Sequence, residues 1–132
     1  MLFRSPHAGE LGRLLGSDSS EVGAHRLASA RRAAELSGAI VVLKGDDTIV
    51  AEGERIAISA GGAPALATAG TGDVLSGTIG ALLARGMEPF AAVCAGVHAH
   101  QRAGRIAAER LGSVESVVAT DVIGALPAAL TV

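Results

Sequence analysis

Ala39-Ile40-Val41-Val42-Leu43-Lys44-Gly45 is an unbroken apolar run closed by a lysine and a glycine. The run leaves no polar face for water, so it reads as a strand covered on both sides, the pattern of a parallel sheet. Lys44-Gly45 falls at the strand's C-terminal end, where α/β proteins place their ligands. Downstream, Thr48-Ile49-Val50-Ala51 and Arg55-Ile56-Ala57-Ile58 flank Glu52-Gly53-Glu54 and predict a β-hairpin with glycine at its turn.

Upstream, residues 1–10 read as a loop carrying Ser5-Pro6-His7-Ala8-Gly9-Glu10. Residues 8–15 form a short helix with Leu11, Leu14 and Leu15 inward. Residues 19–37 read as one helix, with Ser19 and Ser20 as N-cap candidates and Val22, Leu27, Ala30, Ala34 and Leu36 approximating one face. Gly38 then ends it. Beyond the hairpin, residues 73–85 form a helix with an apolar stripe of Val74, Leu75, Thr78, Ile79, Leu82 and Leu83, closed by Gly86. Pro89 opens a helix at its first turn, running to about Leu111 with Gly112 as its stop. Thr120 caps a last helix over 121–130, interrupted by Pro127. The expected fold class is α/β, with a few strands and a hairpin covered by several helices. Two or three strands are too few for a complete doubly wound sheet. Such a half-sheet leaves residues 39–43 with an unpaired edge and an uncovered apolar face, which invites association.

Composition narrows the function classes. The chain of 132 residues suits one core, and 49% hydrophobic against 18% charged residues excludes disorder. A net charge of −2 and 2% aromatic residues offer neither a basic face nor a stacking platform, so no nucleic-acid partner is expected. Cys94 is the only cysteine, which excludes an intrachain disulfide. Residues 1–10 hold no apolar signal core. The nearly charge-free stretch 56–84 is broken by glycines, a proline and hydroxyls rather than forming a membrane span. A soluble, cytoplasmic protein with no membrane partner is the expectation.

Charge singles out one turn. Between Arg55 and Arg85 the only charged residue is Asp73, just after Gly70-Thr71-Gly72 and at the head of an apolar helix. A helix N-terminus offers unpaired N–H groups and partial positive charge, and glycines let a ligand approach the backbone. The N–H groups of Gly70, Thr71 and Gly72 therefore form a candidate anion cradle. Asp73 has two readings: a capping carboxylate, or a general base beside that cradle. His98 and His100 are two apart on a helix and point in different directions, a poor metal pair, and no residue is assigned to a metal.

Leu66-Ala67-Thr68-Ala69-Gly70-Thr71-Gly72-Asp73-Val74-Leu75-Ser76-Gly77 is similar, nearly residue for residue, to the signature of the NAD(P)H-hydrate dehydratase family. Ser5-Pro6-His7-Ala8-Gly9-Glu10 resembles that family's loop, which usually has Thr in place of Ser5. Val41-Val42-Leu43-Lys44-Gly45 with Thr48, Gly96-Val97 with His100 and Gly104, and Thr120-Asp121 before Pro127 also fall in the family's order. The resemblance implies a ribokinase-like fold and an ADP- or ATP-dependent, Mg²⁺-assisted return of hydrated NADH or NADPH to the working cofactor. It implies hydrate contacts from His7 and Asp73, adenine nucleotide held along Lys44, Gly45, Asp46, Asp47 and Thr48 and at Gly72, and Asp73 as the catalytic base. The family's domain is about twice this long, so residues 1–132 correspond to one partial domain, its C-terminal half. The asparagine expected near Ser59-Ala60-Gly61-Gly62 is absent. A homo-oligomer or a separate N-terminal half is the expected complement. Two rival functions remain: a ribokinase-superfamily small-molecule kinase, such as a vitamin-precursor kinase, and a non-catalytic nucleotide-binding fragment that needs a partner.

Overall fold

The computed structural model describes residues 3–131. They divide into two compact units, one up to Gly61 and the other from Gly62 onward.

The first unit is built on a four-stranded sheet in the order β1-β2-β3-β4: β1 (Phe3–Arg4), β2 (Ile40–Leu43), β3 (Ile49–Glu52) and β4 (Arg55–Ile58). The hairpin forms as predicted, with Gly53 in the left-handed region at φ 53°. Residues 39–43 do not form an open edge. Phe3–Arg4, read from sequence as loop, pairs parallel with β2 on one side, and β3 pairs antiparallel on the other. All four residues of β2 are buried. The sheet is therefore mixed, and its edges are β1 and β4.

Helices α1 (Ala8–Leu15), α2 (Ser19–Ala24) and α3 (Arg26–Ser37) cover one sheet face. Leu11, Val22, Ala30, Ala33 and Ala34 pack there with Val41, Leu43, Ile49 and Ala51. The span 19–37 is two helices, because His25 breaks it at φ −130°, ψ 51°. The break resets the helical phase, so Leu27 and Leu36 turn to solvent and Ala33 turns inward. Leu14 is likewise exposed, at 70%. The N-cap of α2 is Asp18 rather than Ser19 or Ser20: its carboxylate accepts from the Glu21 N–H at 2.8 Å and takes up the Ser20 hydroxyl as a second donor. Gly38 ends α3 at φ 61°, as the sequence predicts.

The second unit holds a 3₁₀ turn (Pro64–Leu66), α4 (Thr71–Ala84), α5 (Pro89–Leu111) and α6 (Ala119–Ala129). Pro89 and Gly112 bound α5 as predicted, with the Glu88 carboxylate accepting the Ala91 N–H at 2.9 Å. Gly96 has no Cβ, and one placed there would lie 2.5 Å from Ile79 Cγ1, so α4 and α5 approach closely. Thr120 lies inside α6 rather than capping it, and the Asp121 carboxylate accepts the Val118 N–H at 2.9 Å. The helix runs through Pro127 instead of stopping there. Proline lacks the N–H that would donate to the Ile123 carbonyl, so the helix forgoes that bond. Among the described residues no helix is long and apolar enough to cross a membrane.

At α1 the cap is reciprocal. His7 Nδ1 accepts from the Gly9 and Glu10 N–H groups at 3.1 and 3.3 Å, while the Glu10 carboxylate accepts the His7 N–H at 2.9 Å. That backbone bond, aided by the nearby charges of Lys44 and Arg13 against a desolvation penalty, holds the Glu10 carboxyl below its ordinary value of 4.5. A depressed carboxyl stabilises the fold above its unfolded value and loses that contribution as pH falls through the folded one. The first turn of α1 will thus fray on acidification below about pH 4.5, and Glu10→Gln will remove this pH dependence. The amide shifts of residues 8–11, followed against pH, check this. A Gln variant that titrates like the parent would contradict it.

Candidate functional site

Each predicted residue is placed within its own unit. In the first, Pro6 connects β1 to α1, and its carbonyl accepts the Lys44 N–H at 3.0 Å, so the His7 and Lys44 segments lie side by side. His7 is exposed, with Nδ1 occupied as the α1 cap. An acceptor nitrogen carries no proton, so the neutral ring holds its proton on Nε2, which lies 3.5 Å from Glu10 Oε1. Lys44 is half-buried, whereas Gly45, Asp46 and Asp47 are exposed.

Thr48 is 6% exposed and faces its own loop. Its hydroxyl donates to the Gly45 carbonyl at 3.4 Å, and its N–H donates to Ser59 Oγ at 3.0 Å. The Asp47 carboxylate accepts the Gly61 N–H at 3.2 Å. Arg26, which nothing in the sequence singled out, donates from Nη2 to the carbonyls of Leu43 (3.3 Å) and Asp47 (2.6 Å). A lone arginine at a helix start has no motif to flag it.

In the second unit, Gly70 precedes α4 in the left-handed region at φ 86°. A Cβ there would be strained by the backbone and would lie 3.2 Å from the Ala119 Cβ. Thr71 is 5% exposed, and its hydroxyl is shared between the carbonyls of Leu66 (2.6 Å) and Thr68 (2.8 Å). His100, buried on α5, places Nε2 at 2.8 Å from the Thr71 carbonyl. A carbonyl only accepts, so this nitrogen carries the proton. His100, left without a role by its sequence position, is thus a brace for the turn.

The expected cradle of three N–H groups is narrower in the structure. The Thr71 N–H turns back to Thr68 O at 3.4 Å. Among the described residues the N–H groups of Gly70 and Gly72 have no partner. The Asp73 N–H is used, donating to Gly70 O at 3.1 Å. Its carboxylate makes no capping bond: it is exposed and accepts no hydrogen bond among the described residues. From Gly70 and Asp73 an apolar groove of about 580 Å³ runs between α4 and α6, past Val74, Ala81, Ile123 and Leu126. The turn therefore presents two free donors and one free carboxylate at the head of a helix whose dipole favours an anion.

No cluster of three His, Cys, Asp or Glu side chains able to hold a metal occurs among the described residues. Asp46, Asp47 and Asp73 belong to no such group. That donor set fits Mg²⁺ only as a partly hydrated ion carried by nucleotide phosphates, its usual mode of binding.

Residues 4–128 match a family model described as NAD(P)H-hydrate dehydratase. An ADP-dependent (S)-NAD(P)H-hydrate dehydratase of Neisseria meningitidis serogroup B is 42% identical over 122 residues, covering 92% of this chain and 41% of that protein. A bifunctional NAD(P)H-hydrate repair enzyme of Escherichia coli K12 is 42% identical over 123 residues, 92% of this chain and 24% of that protein. Among solved structures, the ADP/ATP-dependent NAD(P)H-hydrate dehydratase from Bacillus subtilis, co-crystallized with ATP/Mg²⁺, is similar at TM-score 0.89 and 29% identity, over 96% of this chain and 46% of that one. A ribokinase-like superfamily protein from Enterococcus faecalis V583 is similar at TM-score 0.79 and 28% identity, over 97% of this chain and 43% of that one. The α/β fold is thus ribokinase-like, and the chain spans less than half the length of these relatives.

Proposed function

Since this chain belongs to the NAD(P)H-hydrate dehydratase family, matched from residue 4 to residue 128, we propose that it carries the phosphoryl-transfer and elimination centre of an ADP- or ATP-dependent NAD(P)H-hydrate dehydratase, a carbon–oxygen lyase of nicotinamide-nucleotide repair acting in the cytoplasm. The observation that supports this most is the unbonded Asp73 carboxylate beside the unpaired N–H groups of Gly70 and Gly72.

The chemistry follows from the substrate. The hydrate's hydroxyl is a poor leaving group. Asp73 takes its proton as the oxygen attacks the terminal phosphoryl group of ATP or ADP. The Gly70 and Gly72 N–H groups stabilise charge on the transferring group, which in phosphoryl transfer is most of the catalysis. The phosphorylated carbon–oxygen bond then breaks with loss of a ring proton, giving the double bond of NAD(P)H, orthophosphate and the shortened nucleotide. Lys44 neutralises nucleotide phosphate, and the exposed 45–47 backbone holds the adenine nucleotide, while Thr48 keeps that loop in shape. His7 offers its Nε2–H to the hydrate. Mg²⁺ would be held through the nucleotide phosphates and would supply charge neutralisation there. Full enclosure of the substrate falls to a complementary half, in a second copy of this chain or in further sequence.

Phosphorus NMR of the chain with NADH hydrate, Mg²⁺ and ATP tests the reading. Equal yields of NADH, ADP and orthophosphate are expected. A phosphorylated product that persists without elimination would assign a small-molecule kinase instead. Nucleotide binding with no product would leave a non-catalytic binding module.

A further inference from the structure

We propose that Arg26 is a positioning residue for the 44–48 loop. Its functional meaning rests on the assignment of that loop to the adenine nucleotide. Arg26 begins α3 directly after the break at His25, and Nη2 donates to Leu43 O at 3.3 Å and to Asp47 O at 2.6 Å. These carbonyls stand where the chain leaves β2 and just before it enters β3, so one guanidinium ties both ends of the loop. Both bonds leave one nitrogen, whose two N–H groups serve different carbonyls, and each bond is charge-assisted.

Gly45 supplies a second, independent observation. It does not lie in the left-handed region, so its backbone alone would accept another residue. A Cβ at this position, however, would fall 2.6 Å from Arg26 Nη2 and 2.7 Å from Nη1. The missing side chain makes room for the guanidinium. An alanine here would displace the end of a flexible arginine rather than the backbone, so Gly45→Ala acts by dislodging Arg26. Other bonds of the loop, among them those from Thr48 to Gly45 and Ser59 and from Gly61 to Asp47, have uncharged donors. With Arg26 in place the loop is ordered on folding, and a ligand does not meet that ordering cost on binding.

A double-mutant cycle tests the proposal: Arg26→Met, Gly45→Ala, the pair together, and Arg26→Lys as the conservative change. Two readouts are taken on the isotope-labelled chain: amide exchange at Lys44 and Thr48, whose N–H groups are bonded, and Mg-ADP affinity by calorimetry. Loss of charge-assisted bonds predicts exchange faster by roughly 10–100-fold in Arg26→Met. Gly45→Ala should match it, and the pair should be no worse than either alone. Arg26→Lys should fall between, because an ammonium keeps the charge but not the reach and planar rigidity of the guanidinium. Additive effects, or unchanged exchange in Arg26→Met, would overturn the proposal. So would an Arg26→Met affinity for Mg-ADP within twofold of the parent. Should the parent itself fail to bind Mg-ADP, the nucleotide assignment falls, and the exchange cycle still decides whether Arg26 holds the loop.

Discussion

Asp73→Asn will lower the turnover of NADH hydrate by roughly 10²–10⁴-fold, the usual contribution of a positioned general base, in whatever assembly of this chain turns over. The loss will be chemical rather than structural. The Asp73 carboxylate is exposed and accepts no hydrogen bond among the described residues, so asparagine removes a proton acceptor and no contact. Only the favourable interaction of a negative charge with the head of α4 is given up, about 0.3–1 kcal/mol. Affinity for Mg-ADP should stay the same or tighten slightly, because a negative charge near the nucleotide phosphates is gone. Steady-state rates and calorimetric binding, measured on one preparation, separate the two effects. Turnover within a few-fold of the parent would remove Asp73 as the base.

Thr71→Val will have the second largest effect, and it acts through the fold. The two side chains have nearly the same shape, but the Thr71 hydroxyl is buried and bonded to the carbonyls of Leu66 and Thr68 at 2.6 and 2.8 Å. Valine leaves the Thr68 carbonyl with the weaker 3.4 Å bond from the Thr71 N–H, and it strips the hydroxyl donor from the Leu66 carbonyl. Leaving a fully buried polar group unsatisfied costs about 1–3 kcal/mol, and this part-buried carbonyl falls at the low end of that range. Because the same residue anchors the turn bearing Gly70, Gly72 and Asp73, activity should fall along with stability. Thr71→Ser, which restores the hydroxyl, should recover most of both. Denaturant midpoints and turnover of the two variants check this, and a valine variant as stable as the parent would refute it.

Much of this architecture was legible in the sequence where local signals are strong. Pro89 and Gly112 bracket α5, Gly53 marks the hairpin, and Gly38 ends α3, because proline and glycine act on the backbone at their own positions. The features that were missed depend on distant residues. Phe3–Arg4 is too short to show strand periodicity and becomes a strand only by pairing with β2. The break at His25 carries no proline or glycine at that position, so the sequence reads as a single helical phase that would turn Leu27 and Leu36 inward. The turn at Gly70 was legible because Asp73 is the lone charge in a long apolar stretch. Its bracing by His100 and the tie of Arg26 across the 44–48 loop were not, since each joins residues far apart in the chain.

The central claim is that the Gly70-Thr71-Gly72-Asp73 turn cradles the phosphate being transferred. Amide chemical-shift mapping of the labelled chain during titration with Mg-ADP tests it most directly. The account predicts that the Gly70 and Gly72 amides, whose N–H groups are free, move among the largest and that the Thr71 amide moves less. Saturable binding that leaves Gly70 and Gly72 unmoved would contradict it and place the phosphates elsewhere.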